Sequence, residues 1–256
     1  MTQTFPHHLD RTIVIGALPD DVFRFFTDTQ RWAAWWGAGS TIEPRPGGRI
    51  LVRHPGGVEM IGEVLDMAPP FRLSFTYGYA GGKPIAPGQS RVTITLEAVR
   101  EGTTLHLRHE FAEPGAMEEH VQGWRYQLSL FANAVANEVH ADAESIADRW
   151  FSVWSEPDAE TRNAGLQALV APQVAMRDRF SLTVGVSDLR EHLAAVHRFM
   201  PGVTLTRDGS VRHCQGVMLA DWVARSRDGQ VRGKGTNVFT LSALNLVESV
   251  TGLWSQ

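Results

Sequence analysis

The sequence contains a single cysteine, Cys214, among its 256 residues. One thiol excludes an internal disulfide and a Cys-x-x-Cys pair, and a lone cysteine is most often a small buried hydrophobic residue. The N-terminal stretch MTQTFPHHLDRT lacks the basic segment and apolar core of a signal peptide. We therefore expect a reduced, cytoplasmic protein with Cys214 buried.

Long apolar runs and an excess of one charge are also missing. No stretch of about 18 apolar residues is present, so no membrane-spanning helix is expected. The formal net charge is −4, and acidic and basic residues are interspersed, without a basic stripe. Neither a membrane nor a nucleic acid is therefore an expected partner.

Metal-ligand and phosphate-binding motifs are absent from the sequence as well. His106 and His109 stand three apart on a predicted strand, so they face opposite sides. His192 and His197 stand five apart on a predicted helix, which separates them by about 140°. No His-Glu-x-x-His segment, Gly-rich nucleotide loop or Gly-x-Ser-x-Gly elbow occurs. We expect no metal and no cofactor.

Tryptophan, in contrast, is abundant, with eight residues in the chain. The indole ring is large, and its N–H group needs a hydrogen-bond acceptor when buried, so tryptophan clusters often line pockets or interfaces. Packing in an ordinary core is the alternative.

The first half of the chain predicts short strands joined by Gly/Pro turns, followed by one long helix. A helix opens at Pro19, and a second short helix carries Trp32, Trp35 and Trp36. Predicted strands are Arg11–Gly16, Arg49–His54, Val58–Met67, Phe71–Tyr79, Arg91–Val99 and Thr104–Phe111. Steps of three and four then mark one helical face at Met117, Val121, Trp124, Leu128, Phe131, Val135 and Val139, which must pack across the sheet.

The second half begins with helices. Ile146, Trp150 and Trp154 share a helix face, and Ser187-Asp188 is expected to cap a later helix. Asp228-Gly229 is typical of a hairpin. Predicted strands are Val174–Phe180, Val203–Arg207, Val211–Gln215, Val217–Arg227, Val231–Leu241 and Leu246–Trp254. Because the halves share no residue-level repeat, we predict two unlike α+β domains, residues 5–139 and 142–256.

Several motifs in the first half occur together at characteristic intervals: Trp35-Trp36-Gly37, Pro46-Gly47-Gly48-Arg49, Gly62-Glu63-Val64, Pro69-Pro70-Phe71-Arg72-Leu73, Gly102-Thr103-Thr104-Leu105 and Gly123-Trp124. This half resembles the START-like (SRPBCC) superfamily, in the branch named after the activator of the large heat-shock ATPase. The resemblance implies a helix-grip fold, a curved antiparallel sheet around a long C-terminal helix, with a cavity between them. We expect no counterpart of the chaperone-docking domain that precedes this fold in the eukaryotic activator.

The second half resembles the SnoaL-like branch of the superfamily of ketosteroid isomerases and nuclear transport factor two. The resemblance rests on Trp150, Arg177-Asp178-Arg179, Gly185 before Leu189-Arg190-Glu191-His192, Trp222, Gly229 and Gly233 to Asn237-Val238-Phe239. It implies a cone-shaped α+β barrel with a pocket between helices and a bent sheet. Some members of this superfamily transfer protons through acidic residues or a His–Asp pair, and others only bind.

Strand alternation and the long helix select the candidate wall of the first cavity. The predicted ligand-binding residues there are Trp35, Phe75, Tyr77, Tyr79, His109, Trp124 and Leu128, with Phe71 on the same strand face as Phe75. A filled core, with His109 hydrogen-bonded to a neighbour, is the alternative.

The second cavity offers the candidate catalytic residues, Asp178 and His192. Its predicted ligand-binding residues are Trp150, Trp154, Trp222 and Asn237. Asp178 is alternatively a strand-end carboxylate paired with its arginine neighbours. We expect Ala220, Trp222 and Ala224 to face inward and Asp221 and Arg225 to form an outward ion pair.

Three functions are consistent with these residues. The first is binding of a small hydrophobic or aromatic molecule in internal cavities. The second is a cofactor-independent isomerase, cyclase or hydratase that acts through Asp178 or His192. The third is a stress-related or co-chaperone-like interaction protein, with a homodimer formed through the sheet of the C-terminal domain.

Overall fold

The computed structural model describes residues 5–255 and divides into two compact units between Val139 and His140. Each unit combines one mixed or antiparallel sheet with helices and has its own buried core. The predicted α+β fold class is therefore confirmed. None of the helices in the described residues combines the length and apolarity needed to cross a bilayer.

The first unit is built on a seven-stranded antiparallel sheet. In spatial order its strands run β1, β7, β6, β5, β4, β3, β2. Their bounds are β1 His7–Ile15, β2 Thr41–Ile42, β3 Arg49–Arg53, β4 Glu59–Ala68, β5 Arg72–Tyr79, β6 Ser90–Val99 and β7 Gly102–Phe111.

Three helices accompany this sheet: α1 (Pro19–Phe23), α2 (Thr29–Trp36) and α3 (Pro114–Val139). Asp28 caps α2 by accepting a hydrogen bond from the Arg31 backbone N–H at 2.9 Å. The long helix α3 packs against β1, β7 and α2, as its apolar stripe predicts.

Aromatic rings fill the space between α2 and α3. Phe26, in a 3₁₀ turn after α1, stacks on Phe131 with ring centroids 5.1 Å apart, and the ring of Trp35 meets Phe131 edge-on at 4.8 Å. Trp32, Trp35, Trp124, Leu128 and Phe131 are all buried. Most of the tryptophans of this unit therefore lie in its buried core.

Strand alternation holds along β5, where Leu73, Phe75 and Tyr77 are buried. The expectation that Phe71 shares their face is wrong, because Phe71 is 52 % exposed. It precedes β5 in a turn in which its backbone N–H donates to the Ala68 carbonyl at 2.8 Å. Strand parity does not govern a side chain in a turn.

The second unit places three helices on a seven-stranded mixed sheet. The helices are α4 Ala143–Ser155, α5 Ala159–Leu169 and α6 Val186–Phe199. The strands are β8 Val170–Arg177, β9 Leu182–Val184, β10 Thr204–Arg207, β11 Arg212–Cys214, β12 Val217–Arg225, β13 Val231–Leu241 and β14 Val247–Trp254. The order is β10, β12, β13, β14, β8, β9, with β11 also paired to β12; β14 and β8 are parallel.

Two local expectations in this unit are wrong. Helix α6 begins at Val186 with Gly185 as its N-cap, so Ser187 and Asp188 lie in its first turn, and the Asp188 carboxylate accepts instead from the Val184 N–H at 2.9 Å. Cys214 is exposed at the end of the short strand β11, rather than buried. A three-residue strand outside the main order of the sheet covers little surface.

Candidate functional site

A cavity of about 420 Å³ opens into the second unit. It lies between α4, α6 and the strands β8, β10, β12, β13 and β14. Its lining is Trp154, Met176, Asp178, Phe180, His192, Val196, His197, Met200, Val203, Leu205, Trp222, Ala224, Arg232, Asn237, Gly252 and Trp254. Apolar walls with a few polar points are typical of a small-molecule pocket of this size.

Three aromatic rings form one wall of this cavity. Trp254 meets Trp222 edge-on at 5.0 Å between centroids and meets Phe180 edge-on at 5.1 Å. A Cβ atom at Gly235 on β13 would lie 2.7 Å from Cζ2 of Trp222. Glycine at this position therefore makes room for the Trp222 indole against the sheet.

The face of β12 that lines the cavity is the one expected from its pattern, because Ala220, Trp222 and Ala224 are buried. The outward pair of Asp221 with Arg225 is wrong, since residues four apart on one strand are separated by about 13 Å. Asp221 instead lies 3.7 Å from Arg212, and Arg225 donates to the Gly229 carbonyl.

Asp178 follows β8 and is held by four donated hydrogen bonds. Its Oδ1 accepts from the backbone N–H groups of Phe180 and Ser181 and from the Ser181 hydroxyl, each at 2.8 Å. Its Oδ2 accepts from the Trp254 indole N–H at 3.2 Å. Arg179 stacks over the Phe180 ring. The carboxylate is thus oriented by a turn and an indole rather than by a salt bridge with the adjacent arginines.

Asn237 on β13 is 7 % exposed and lines the same cavity. Its side-chain amide makes no hydrogen bond with any residue in the range 5–255. A carboxamide offers two donor hydrogens and an acceptor oxygen, and neither end of this one is among the fully enclosed, unpartnered polar groups of residues 5–255. This amide therefore remains free to bind a polar group inside the cavity.

Two histidines reach the cavity from α6. His192, a predicted catalytic residue, packs edge-on against Trp154 at 5.8 Å. Burial lowers the pKa of His197, and the Arg162 guanidinium lowers it further. The Nε2 of His197 and the indole nitrogens of Trp154 and Trp222 are buried without a partner among the described residues.

One predicted residue of the second unit lies outside the cavity. Trp150 is fully buried on α4 and packs against Phe239 at 5.7 Å, within the core behind the cavity wall. Sequence reasoning missed Trp254, Met176 and Phe180, although Trp254 stood at the end of a predicted strand. Helix spacing placed Trp150 and Trp154 on one face, but the cavity begins only at Trp154.

The first unit has a smaller cleft of about 270 Å³ between α2, α3 and the sheet. Four predicted residues line it: Trp35, Tyr77, Tyr79 and Trp124. Phe75, His109 and Leu128, also predicted, are buried outside its lining. The cleft adds Trp36, His54, His120 and Gln127. His120 stands one helical turn before Trp124, a spacing that could have identified it.

His109 is held inside a hydrogen-bond chain. The Trp124 indole N–H donates to its Nδ1 at 2.9 Å, so Nε2 carries the ring proton and donates to the Ser90 hydroxyl at 2.8 Å. The Ser90 hydroxyl in turn donates to the Tyr77 carbonyl at 2.7 Å. Burial holds the pKa of His109 well below its usual range. Both ring nitrogens are therefore used within the protein.

Tyr79 and His120 form the polar edge of this cleft. The Nδ1–H group of His120 donates to the Ala116 carbonyl at 2.6 Å, so its Nε2 accepts from the Tyr79 hydroxyl at 3.2 Å. Burial lowers the pKa of His120. Burial also raises the pKa of Tyr77, and its neighbour Tyr79 adds to that rise. The lowered pKa of His120 and the raised pKa of Tyr77 both favour the neutral form near pH 7.

No group of three or more potential His, Cys, Asp or Glu ligands converges anywhere in residues 5–255.

Comparison with known families finds a match within the first unit. Residues 17–136 match the family model described as Activator of Hsp90 ATPase homolog 1-like protein. This match confirms the resemblance predicted from the motifs of the first half. A comparison with curated proteins finds no match.

Several solved structures are similar to parts of the chain. A SnoaL-like family protein from Agrobacterium tumefaciens is 21 % identical, with 44 % of this chain and 96 % of that chain covered and a TM-score of 0.43. The Aha1 dimer from Colwellia psychrerythraea is 20 % identical, with 50 % and 96 % covered and a TM-score of 0.44. A protein from Mesorhizobium loti is 23 % identical, with 50 % of this chain and 96 % of that chain covered and a TM-score of 0.46.

Proposed function

We propose that the protein binds a small, largely apolar molecule in the cavity of its second unit. The observation that carries this proposal is the 420 Å³ cavity whose wall includes Trp154, Trp222 and Trp254. Its volume lies in the range of about 300–1,000 Å³ that small-molecule pockets occupy. Indole walls favour flat or aromatic ligands because ring contacts add to the burial of apolar area.

A fluorescence titration with 1-anilinonaphthalene-8-sulfonate tests this function. The dye is expected to bind the wild-type protein and to be displaced by naphthalene. Ala224 lines the cavity on β12 and is buried, so Ala224→Phe fills it and should weaken dye binding at least tenfold. The matched control is Arg225→Phe, the next residue, which is exposed and lies outside the lining.

Equal dye affinity in Ala224→Phe and wild type, with native circular dichroism in both, would contradict a binding role for this cavity. The first-unit cleft would then be examined with His120→Phe. Native mass spectrometry of the purified protein gives an independent check, because a retained ligand is lost under denaturing conditions and reveals its mass.

A second candidate function is cofactor-independent proton transfer in the same cavity. It is favoured by one observation, that Asp178 and His192 both line it. An isomerase, cyclase or hydratase would use the oriented Asp178 carboxylate beside an apolar wall. Turnover of any substrate found by screening should fall at least 100-fold in Asp178→Asn or His192→Ala; retained turnover in both variants would rule these residues out.

We also propose a second copy of the chain as a partner, through the sheet of the second unit. The edge strand β9 pairs on one side only, with β8, and its Leu182 and Val184 are 74 % and 63 % exposed. A free apolar edge favours strand pairing between molecules. Sedimentation velocity should show a dimer that Leu182→Lys dissociates; a monomer at all concentrations would overturn this assignment.

A further inference from the structure

A polar notch interrupts the apolar wall of the second cavity. It consists of Asp178, Asn237 and Gly252, and the register of the sheet places Asn237 directly opposite Gly252. A Cβ atom at Gly252 would lie 3.1 Å from the Cβ of Asp178 and 3.4 Å from Oδ1 of Asn237. The missing side chain of Gly252 therefore leaves open the space between the Asp178 side chain and the Asn237 amide.

The two sides of the notch offer different hydrogen-bonding capacity. A carboxylate has about four acceptor sites, two on each oxygen. Three donors already surround Oδ1 of Asp178, whereas Oδ2 has only the Trp254 indole, so Oδ2 retains room for one further donor. The side chain of Asn237 borders the notch with its carboxamide, and an amide without partners in the described structure can turn either its oxygen or its N–H groups toward a ligand.

We propose that the notch binds a hydroxyl group of the ligand, so that the ligand is an aromatic or otherwise apolar alcohol or phenol. The hydroxyl donates to Oδ2 of Asp178 and accepts from the Asn237 amide. This inference rests on the proposed binding function and names the chemical class of its ligand.

Other polar groups match the notch less well. A carboxylate on the ligand would place a second negative charge beside Asp178, which is unfavourable in an apolar cavity. An ether or ketone would satisfy Asn237 but bring no donor for Asp178. A hydroxyl is the small group that offers one donor and acceptor lone pairs together.

Selectivity for the hydroxyl follows from the buried partners. A site built to hydrogen-bond a hydroxyl rejects an analogue that lacks it, because its own polar groups are then left unpaired. Gly252 allows this selectivity because it leaves the notch open, and the Asn237 amide donates a hydrogen bond to the hydroxyl oxygen.

The experiment compares three ligands of one ring system by displacement of 1-anilinonaphthalene-8-sulfonate. Wild type is expected to bind 1-naphthol at least tenfold more tightly than naphthalene and at least tenfold more tightly than 1-methoxynaphthalene, which has an acceptor only. Asn237→Leu and Gly252→Ala are both expected to reduce the preference for 1-naphthol over naphthalene to within about twofold, a loss of roughly 1 kcal/mol or more. Thr236→Val is the matched control, because Thr236 neighbours Asn237 but bonds to Asp221 outside the cavity.

The outcomes separate this inference from the proposed function. If wild type binds naphthalene and 1-naphthol equally, the cavity is an apolar site and the notch assignment is wrong, while the binding function stands. Equal binding of 1-methoxynaphthalene and 1-naphthol would remove Asp178 as an acceptor for the ligand and overturn the hydroxyl assignment. If none of the three ligands displaces the dye, both proposals fail. Two variants at different positions guard against misfolding of either one.

Discussion

The imidazole of His109 connects three elements of the first unit through its two nitrogens. It accepts from Trp124 on α3 and donates to Ser90 on β6, and the hydroxyl of Ser90 donates in turn to the backbone of β5. Protonation of Nδ1 would break the bond from Trp124 and leave a charge in a buried site. The ring is therefore committed to its neutral form and to a structural role.

This commitment predicts a pH dependence of stability. The unfolded chain protonates His109 below about pH 6.5, whereas burial keeps the folded-state pKa well below that value. The unfolded state then binds more protons, so the free energy of unfolding falls as the pH drops below 6.5, by up to about 1.4 kcal/mol per pH unit for this residue. His109→Gln should reduce the slope in urea denaturation at pH 5.5–7.5.

The exposed His106 on the same strand provides the control for that experiment. His54 and His120, whose pKa values burial also lowers, preserve part of the slope in His109→Gln. An identical slope in His109→Gln, His106→Gln and wild type would contradict the assignment of this pH dependence to His109.

Gly235 is a second position where one atom decides the packing. A Cβ there would lie 2.3 Å from the Leu253 carbonyl oxygen on β14 and 2.7 Å from the Trp222 ring, and over-packing of this kind costs about 1–3 kcal/mol. Gly235→Ala should lower the stability of the protein by that amount and shift the tryptophan emission. Gly81→Ala, where nothing lies within 4 Å of the new atom, should change stability by less than about 0.5 kcal/mol. An equal loss of stability in both variants would contradict the packing explanation.

At the scale of elements, helix α3 holds the first unit together through one face. Phe131 is fully buried between Phe26 and Trp35, whereas Tyr126 on the same helix is 64 % exposed. Phe131→Ala is expected to destabilise the protein by about 3–5 kcal/mol, and Tyr126→Ala by less than about 0.5 kcal/mol. Chemical denaturation measures both; a small effect of Phe131→Ala would show that the aromatic cluster re-packs.

Long periodic elements were predictable from the sequence, and short ones were not. The stripe from Trp124 to Val135 identified α3, and alternation identified β5, because each pattern repeats over several residues. Helix α5 was missed because few of its side chains are buried, namely Arg162, Leu166 and Leu169, and the strand β9 was missed because three residues give no periodic signal. Phe71 shows the limit of alternation, which holds only inside a strand.

The sequence predicted the kinds of side chain at the candidate sites better than it predicted which individual residues line them. Five second-unit residues, Trp154, Asp178, His192, Trp222 and Asn237, lie on one cavity lining as expected. Trp150 lies behind this lining. The sequence did not predict this, because spacing along one helix does not show where a cavity wall curves away. Three of the donors to Asp178 lie on the nearby Phe180 and Ser181, whereas the fourth, the Trp254 indole, comes from a strand that is distant in sequence.

At the scale of the whole molecule, the chain has two separate buried cores. One is formed by residues up to Val139 and the other by residues from Ala143 onward. We predict that residues 1–139 and 140–256, expressed separately, each fold with dispersed NMR spectra and cooperative thermal transitions. A collapsed, non-cooperative fragment would show that this unit depends on the other for its fold.

The parallel pairing of β14 with β8 also bears on how the binding site is assembled. Met176 and Val250 are neighbours in the sheet but lie far apart in sequence, and β14 brings Gly252 and Trp254 to the cavity. Closing such a long loop lowers the conformational entropy of the chain, and this loss is offset only when the two strands pair. Ligand binding should therefore recover in the last phase of refolding, after most of the helical circular dichroism signal has returned. Until then the chain is a folded scaffold without a receptor.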